Sequence, residues 1–170
     1  MADSLGQLFR QELQFEAQTT RRVLERVPED KWNWKPHPKS MSMGELASHI
    51  ATIPEWVQAV IGQDEYDMGS EYRPWQAANR GELLTKFDRL VAEAAELLGG
   101  ATDQSLAKPW SLKAGEHTIF TQPRAGVVRG MILSHLIHHR GQLSVYLRLN
   151  DIPVPSIYGP SADEEGQPTS

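Results

Sequence analysis

The chain has 170 residues, 39% of them hydrophobic and 23% charged, a profile that fits one soluble globular domain able to bury roughly 70% of its unfolded surface. Its formal net charge is −5 and it carries no basic block, which argues against nucleic acid as a partner. It contains no cysteine, so disulfides and thiolate metal sites are excluded, any metal must be held by His, Asp or Glu, and any thiol chemistry needs a thiol from outside. No stretch has the apolar core of a signal peptide or approaches the ~20 apolar residues of a membrane span, so the cytoplasm is the expected location and no membrane partner is expected.

The first helix is predicted over residues 4–26, where Leu5, Leu8, Phe9, Leu13, Val23 and Leu24 recur at helical spacing before Pro28 breaks the pattern. The Pro-rich connection "PEDKWNWKPHPKS" reads as an ordered loop whose Trp32 and Trp34 plug one end of the core. Ser42 and Glu45 have capping-box spacing and open a second helix. It runs through Leu46, His49, Ile50, Ile53, Trp56, Val57 and Val60 to about Gly62, with a kink at Pro54.

Residues 63–78 read as a polar and aromatic loop. A third helix spans about Asn79 to Leu98, buries Leu83, Phe87, Leu90, Ala94 and Leu98, and stops at Gly99-Gly100. Thr118, Ile119 and Phe120 follow a glycine turn and suggest a small hairpin. Gln122-Pro123 opens the last helix, which continues to about Asn150. The four-proline tail is not helical, and residues 165–170 are expected to be disordered. The expected architecture is all-α: a four-helix bundle forming one domain over residues 1–164, with one small hairpin before the last helix.

Three of the six histidines crowd into "SHLIHHRGQLSVYL", residues 134–147. His135 and His139 are four apart and share one helix face, about 6 Å apart along the axis, within reach of one ion at the ~2.0–2.1 Å of a Zn–N bond. His138 points to another side and reads as a flanking residue. His49, among Leu46, Ile50 and Ile53, is the candidate third ligand, while His37 and His117 sit in loop or turn sequence and read as exposed. Three imidazoles leave coordination positions open, which suits a catalytic ion better than a structural one. The competing reading is that each histidine is a core residue bonded to a carbonyl.

The adjoining "RGQ" carries an interior glycine, Gly141, which usually marks the close approach of a neighbouring element. Arg140 is expected either in a solvent-facing turn or paired with Asp163 or Glu164 of the tail. Glu12, Glu16 and Asp88 lie at helical positions from which a carboxylate could serve as a general base or support a histidine, and Arg73 or Arg80 could steer an anionic substrate.

The segments "PHPKSMSMGELASHI" (36–50), "HLIHHRGQL" (135–143) and "YLRLNDIPVPSIYGPSADE" (146–164) together resemble the DinB/YfiT-like family of small bacterial proteins. The resemblance covers most of the chain, with residues 63–122 weakly matched. It implies an up-down-down-up four-helix bundle, often a homodimer, and a divalent metal, zinc or nickel, held by His49, His135 and His139. Some members are S-transferases that use low-molecular-weight thiols such as bacillithiol or mycothiol. A metal-dependent S-transferase acting on a small-molecule substrate is therefore the leading expectation. A metal-dependent hydrolase and a non-enzymatic metal-binding or stress-response protein are the alternatives.

Overall fold

A computed structural model describes residues 3–69 and 73–164. The expected disorder of residues 165–170 lies outside this range. Helix α1, Leu5–Glu25, starts at Ser4, whose side chain accepts a hydrogen bond from the Gln7 N–H. It buries Phe9, Leu13, Ala17, Val23 and Leu24. Helix α2, Met43–Thr52, opens with the complete Ser42–Glu45 capping box. The Trp-rich loop fixes the same end: Trp34 O accepts from Met43 N at 2.9 Å and Trp32 O from Gly44 N at 2.8 Å. Pro54 sits in a 3-10 turn, Ile53–Glu55, that interrupts the predicted second helix, and α3, Trp56–Gly62, resumes it.

Helix α4, Arg80–Gly100, is capped by Asn79, whose side chain accepts from Glu82 N. It continues through the glycine pair and stops at Ala101, whose backbone is extended. One turn of helix, α5 (Asp103–Leu106), leads into the sheet. Strands β2 (Pro109–Ala114) and β3 (His117–Pro123) form the expected hairpin, with Gly115 at φ +61° in the turn.

The all-α expectation with a single hairpin is corrected here, because a third strand, β1 (Glu65–Asp67), pairs parallel with β2. It falls inside the segment read as a polar loop. Three residues are too few to display the alternation that marks a strand, and the pairing partner is about 45 positions away. The last helix also begins later than expected, since Gln122 and Pro123 belong to β3. It comprises α6 (Arg124–Val127), a π-helical segment (Val128–Ser134) and α7 (His135–Arg148).

The protein is therefore mostly helical with a small three-stranded sheet. Helices α1, α2, α4 and α7 surround one core: α4 packs on α1 and α2, and α7 packs on α2 and α1. Trp32 and Trp34 pack against this core as expected. Among the described residues, no helix is long and apolar enough to cross a membrane.

Two buried devices fix how the sheet meets the helices. Trp110 is fully buried and donates its indole N–H to Ala59 O at 3.2 Å. Arg124 donates to Ile61 O at 2.9 Å and to Gln63 O at 3.0 Å. Arg124 thereby satisfies carbonyls that the end of α3 leaves without helical partners, while Trp110 adds a second donor to a carbonyl that Gln63 N also reaches. Arg124 also pairs with Asp64 at 2.6 Å.

Candidate metal centre

His49 stands on α2, one turn before the interruption at Pro54. His135 and His139 stand on successive turns of α7, which packs on α2. The fold brings these three together as the sequence suggested. His135 Nε2 lies 3.2 Å from His49 Nε2 and 2.8 Å from His139 Nε2. One ligand atom from each of the three falls within 4.8 Å of the others. All three side chains are half-buried. His37, His117 and His138 are exposed and outside the cluster, although the His138 ring lies 4.9 Å from that of His139.

The outer nitrogens decide what the inner ones offer. His135 Nδ1 is 3.1 Å from Met131 O, a pure acceptor, so Nδ1 carries the proton and Nε2 presents a lone pair. Met131 lies in the π-helical segment, a local widening that is frequent at functional sites. His139 Nδ1 is 2.7 Å from Gln142 Oε1, which by the same reasoning leaves its Nε2 as a lone pair. With Gln142 accepting, two lone pairs face each other at 2.8 Å, an arrangement that a shared cation would relieve. Two nitrogens each roughly 2.05 Å from one ion stand roughly 2.9 Å apart at a right angle and roughly 3.3 Å apart at the tetrahedral angle. The observed 3.2 Å separation falls within this range and the 2.8 Å one just below it, and three neutral nitrogen donors suit a divalent first-row ion.

Electrostatics favour the same state. Burial, then the nearby His139 and His135, lower the His49 pKa from 6.5 to about 4. Burial is also the largest cause of the lowered values of His135 and His139, against the opposing hydrogen bonds that the rings donate to Met131 O and Gln142 Oε1. The rings are thus held neutral near pH 7, the protonation state that binds metal.

The carboxylates proposed from sequence are engaged elsewhere. Glu12 pairs with Arg129 and Asp88 with Arg21. Glu16 is buried against Arg140 at 2.6 Å, and Tyr158 donates to it at 2.9 Å. Arg140 is only 1% exposed, so neither expectation for it holds. The tail acids Asp163 and Glu164 pair with Arg148 and Arg22 instead. Gly141 has no neighbour within 4 Å of where a Cβ would stand, so it marks no close approach. Arg80 donates to the carbonyls of Glu25 and Val27 at the end of α1, and Arg73 is exposed.

Sequence reasoning missed Gln142 and the Met131 carbonyl. Gln142 was recoverable, because a polar side chain three residues beyond a candidate ligand on the same helix can reach its outer nitrogen.

Comparison with known proteins places this chain in a family. The chain is 24% identical over 154 residues to the uncharacterized protein YrdA of Bacillus subtilis, covering 89% of this chain and 86% of that protein. It is 25% identical over 130 residues to the uncharacterized protein YjoA of the same organism, covering 76% and 80%. Among solved structures, a DinB-like protein from Bacillus cereus superposes with a TM-score of 0.69 at 20% identity, over 88% of this chain and 95% of that one. A putative DinB-family member from Exiguobacterium sibiricum gives 0.66 at 20% identity, over 96% and 98%. These likenesses establish the fold. The model of the DinB family matches residues 1–169, and the chain therefore belongs to the DinB family.

Proposed function

We propose that the protein is a metal-dependent enzyme that holds one divalent ion, zinc or nickel, through His49, His135 and His139 and transfers a low-molecular-weight thiol to an electrophilic small molecule. The observation that carries the metal reading is the convergence of three Nε2 atoms, two of them with their Nδ1 protons committed to Met131 and Gln142. When bound, the ion supplies Lewis acidity that lowers the pKa of a thiol or water. The chain's own part is to hold the three imidazoles neutral, orient them through Met131 O and Gln142, and leave the open side of the site to the reactants. The chain contains no cysteine, so the thiol is a separate substrate, drawn from the cytoplasm.

The reading extends to an up-down-down-up four-helix bundle that forms a homodimer. The packing of α4 on α1 and α2, and of α7 on α2 and α1, supports the bundle. Leu8 and Phe15, seven residues apart on α1 and about half exposed, support an apolar surface for the second copy.

Cobalt substitution tests the thiol step. The visible spectrum of the cobalt form is expected to change on adding a small thiol, with an absorption typical of sulfur coordination. A cobalt spectrum that no thiol perturbs would contradict S-transfer.

A further inference from the structure

We propose that the cavity against α3 is a binding site for the head group of a small organic cation, such as a quaternary ammonium. The cavity measures about 300 Å³ and is lined by Thr52, Glu55, Trp56, Gln58, Gln63 and Tyr66. That volume lies at the lower end of small-molecule sites, about 300–1,000 Å³.

The lining suits positive charge and excludes negative. Trp56 and Tyr66 both line the cavity and meet edge to face, with ring centroids 5.0 Å apart and planes at 70°. Aromatic faces attract a cation held within about 6 Å, most strongly where water is displaced. Among the described residues Glu55 is the one charged lining residue, and the amide oxygens of Gln58 and Gln63 add two neutral acceptors. Two cations touch this region, and each has its own carboxylate: Lys86 reaches Glu55 at 3.5 Å, and Arg124 pairs with Asp64 at 2.6 Å. The Glu55 side chain is 50% exposed and has lone pairs to spare beside its single contact with Lys86. With no free cation in the lining among the described residues, a carboxylate or phosphate finds no charged partner there.

The site is built rather than incidental. Tyr66 is placed by β1, whose pairing with β2 sets Tyr66 opposite Leu112. The floor at Ala59 is fixed because its carbonyl accepts from both Trp110 Nε1 at 3.2 Å and Gln63 N at 3.1 Å. The third strand, unneeded for a simple bundle, thus supplies one of the two aromatic rings.

Its position gives it a use. His49 and Thr52 on α2 and Trp56 and Ala59 on α3 follow one another at three- and four-residue spacing across the Ile53–Glu55 turn, and Thr52, Trp56 and Ala59 line the cavity from one side. Trp56 is seven residues from His49, roughly 10–12 Å along the axis at ~1.5 Å per α-helical and ~2.0 Å per 3-10 residue. A substrate with its cationic head in the cavity would extend along this side toward the histidines. This last step rests on the metal-centre reading, whereas the cation site stands without it.

The test compares three probes of one shape on the full chain: choline, its neutral isostere 3,3-dimethylbutan-1-ol, and the anion 3,3-dimethylbutanoate. Binding is followed by calorimetry and by the NMR signal of the Trp56 indole. Choline is expected to bind about tenfold tighter than the alcohol, with no binding of the carboxylate. Glu55→Gln and Trp56→Leu are expected to weaken choline several-fold, and Trp56→Phe to retain most of the binding. Equal binding of the alcohol, binding of the carboxylate, no binding of choline, or indifference to Glu55→Gln would overturn the proposal. Trp56→Phe and Glu55→Gln keep the test decisive if Trp56→Leu fails to fold. Metal content measured on the same samples separates the two readings, since none of the three histidines lines the cavity.

Discussion

His135 and His139 present their Nε2 atoms to each other at 2.8 Å, while the Nδ1 of each is committed to an oxygen. The outer partners are therefore part of the site, because they decide which nitrogen is free. Replacing Gln142 with Leu removes the acceptor for His139 and lets its ring change tautomer. Metal affinity, read by competition with a chelator, should fall about 10–100-fold, and Gln142→Glu, which keeps an acceptor, should restore most of it. Unchanged affinity in Gln142→Leu would show that the contact orients nothing.

The lowered histidine pKa values make a signed prediction for the metal-free protein. His49 has a folded value of about 4 against 6.5 in the unfolded chain. Between these values the unfolded state binds more protons, so stability falls as pH drops from about 6.5 toward 4. Above 6.5 the group contributes no pH dependence. The melting temperature should decline through this window, and more steeply in wild type than in His49→Gln. Identical slopes for the two proteins would contradict the burial of a neutral imidazole.

Glu16 and Arg140 form a buried ion pair, with side-chain exposures of 6% and 1%. Removing one partner leaves the other charge buried and unpaired, which costs about 3–5 kcal/mol. Urea denaturation of Arg140→Met should show a loss of that size, and the double variant Glu16→Leu/Arg140→Met should recover a large part of it. Tyr158→Phe, which removes only the hydroxyl held between the two, should cost about 1 kcal/mol. A double variant less stable than Arg140→Met would mean that the pair is not the unit of stabilisation.

Two glycines should respond in opposite directions. A Cβ on Gly6 would stand 2.4 Å from Ala101 O and 2.5 Å from Leu98 O, so Gly6→Ala must push α1 from the end of α4. A loss of about 1–3 kcal/mol is expected. Gly141 lies within α7 with open space around it, and Gly141→Ala should stabilise the protein by about 0.5–1 kcal/mol. Denaturant midpoints of the two variants check both signs.

Much of this was legible in sequence because it is written locally. The Ser42–Glu45 box, the break at Pro54 and the four-residue spacing of His135 and His139 each depend on residues within one or two turns. Features set by distant partners were not legible. Strand β1 exists because β2 lies beside it. Arg140 follows directly after His139, and its partner Glu16 is 124 positions away, so the nearby tail acids looked the better match. The π-helical segment leaves no mark in the hydrophobic pattern, although it carries the carbonyl that orients His135.

His49, His135 and His139 are predicted to hold one divalent ion. Elemental mass spectrometry of protein purified without chelators measures it directly, on wild type and on His135→Ala. About one zinc or nickel per chain in wild type, lost in a folded His135→Ala variant, is the predicted result. No bound metal in wild type even after reconstitution with excess ions, or equal metal in both proteins, would contradict it.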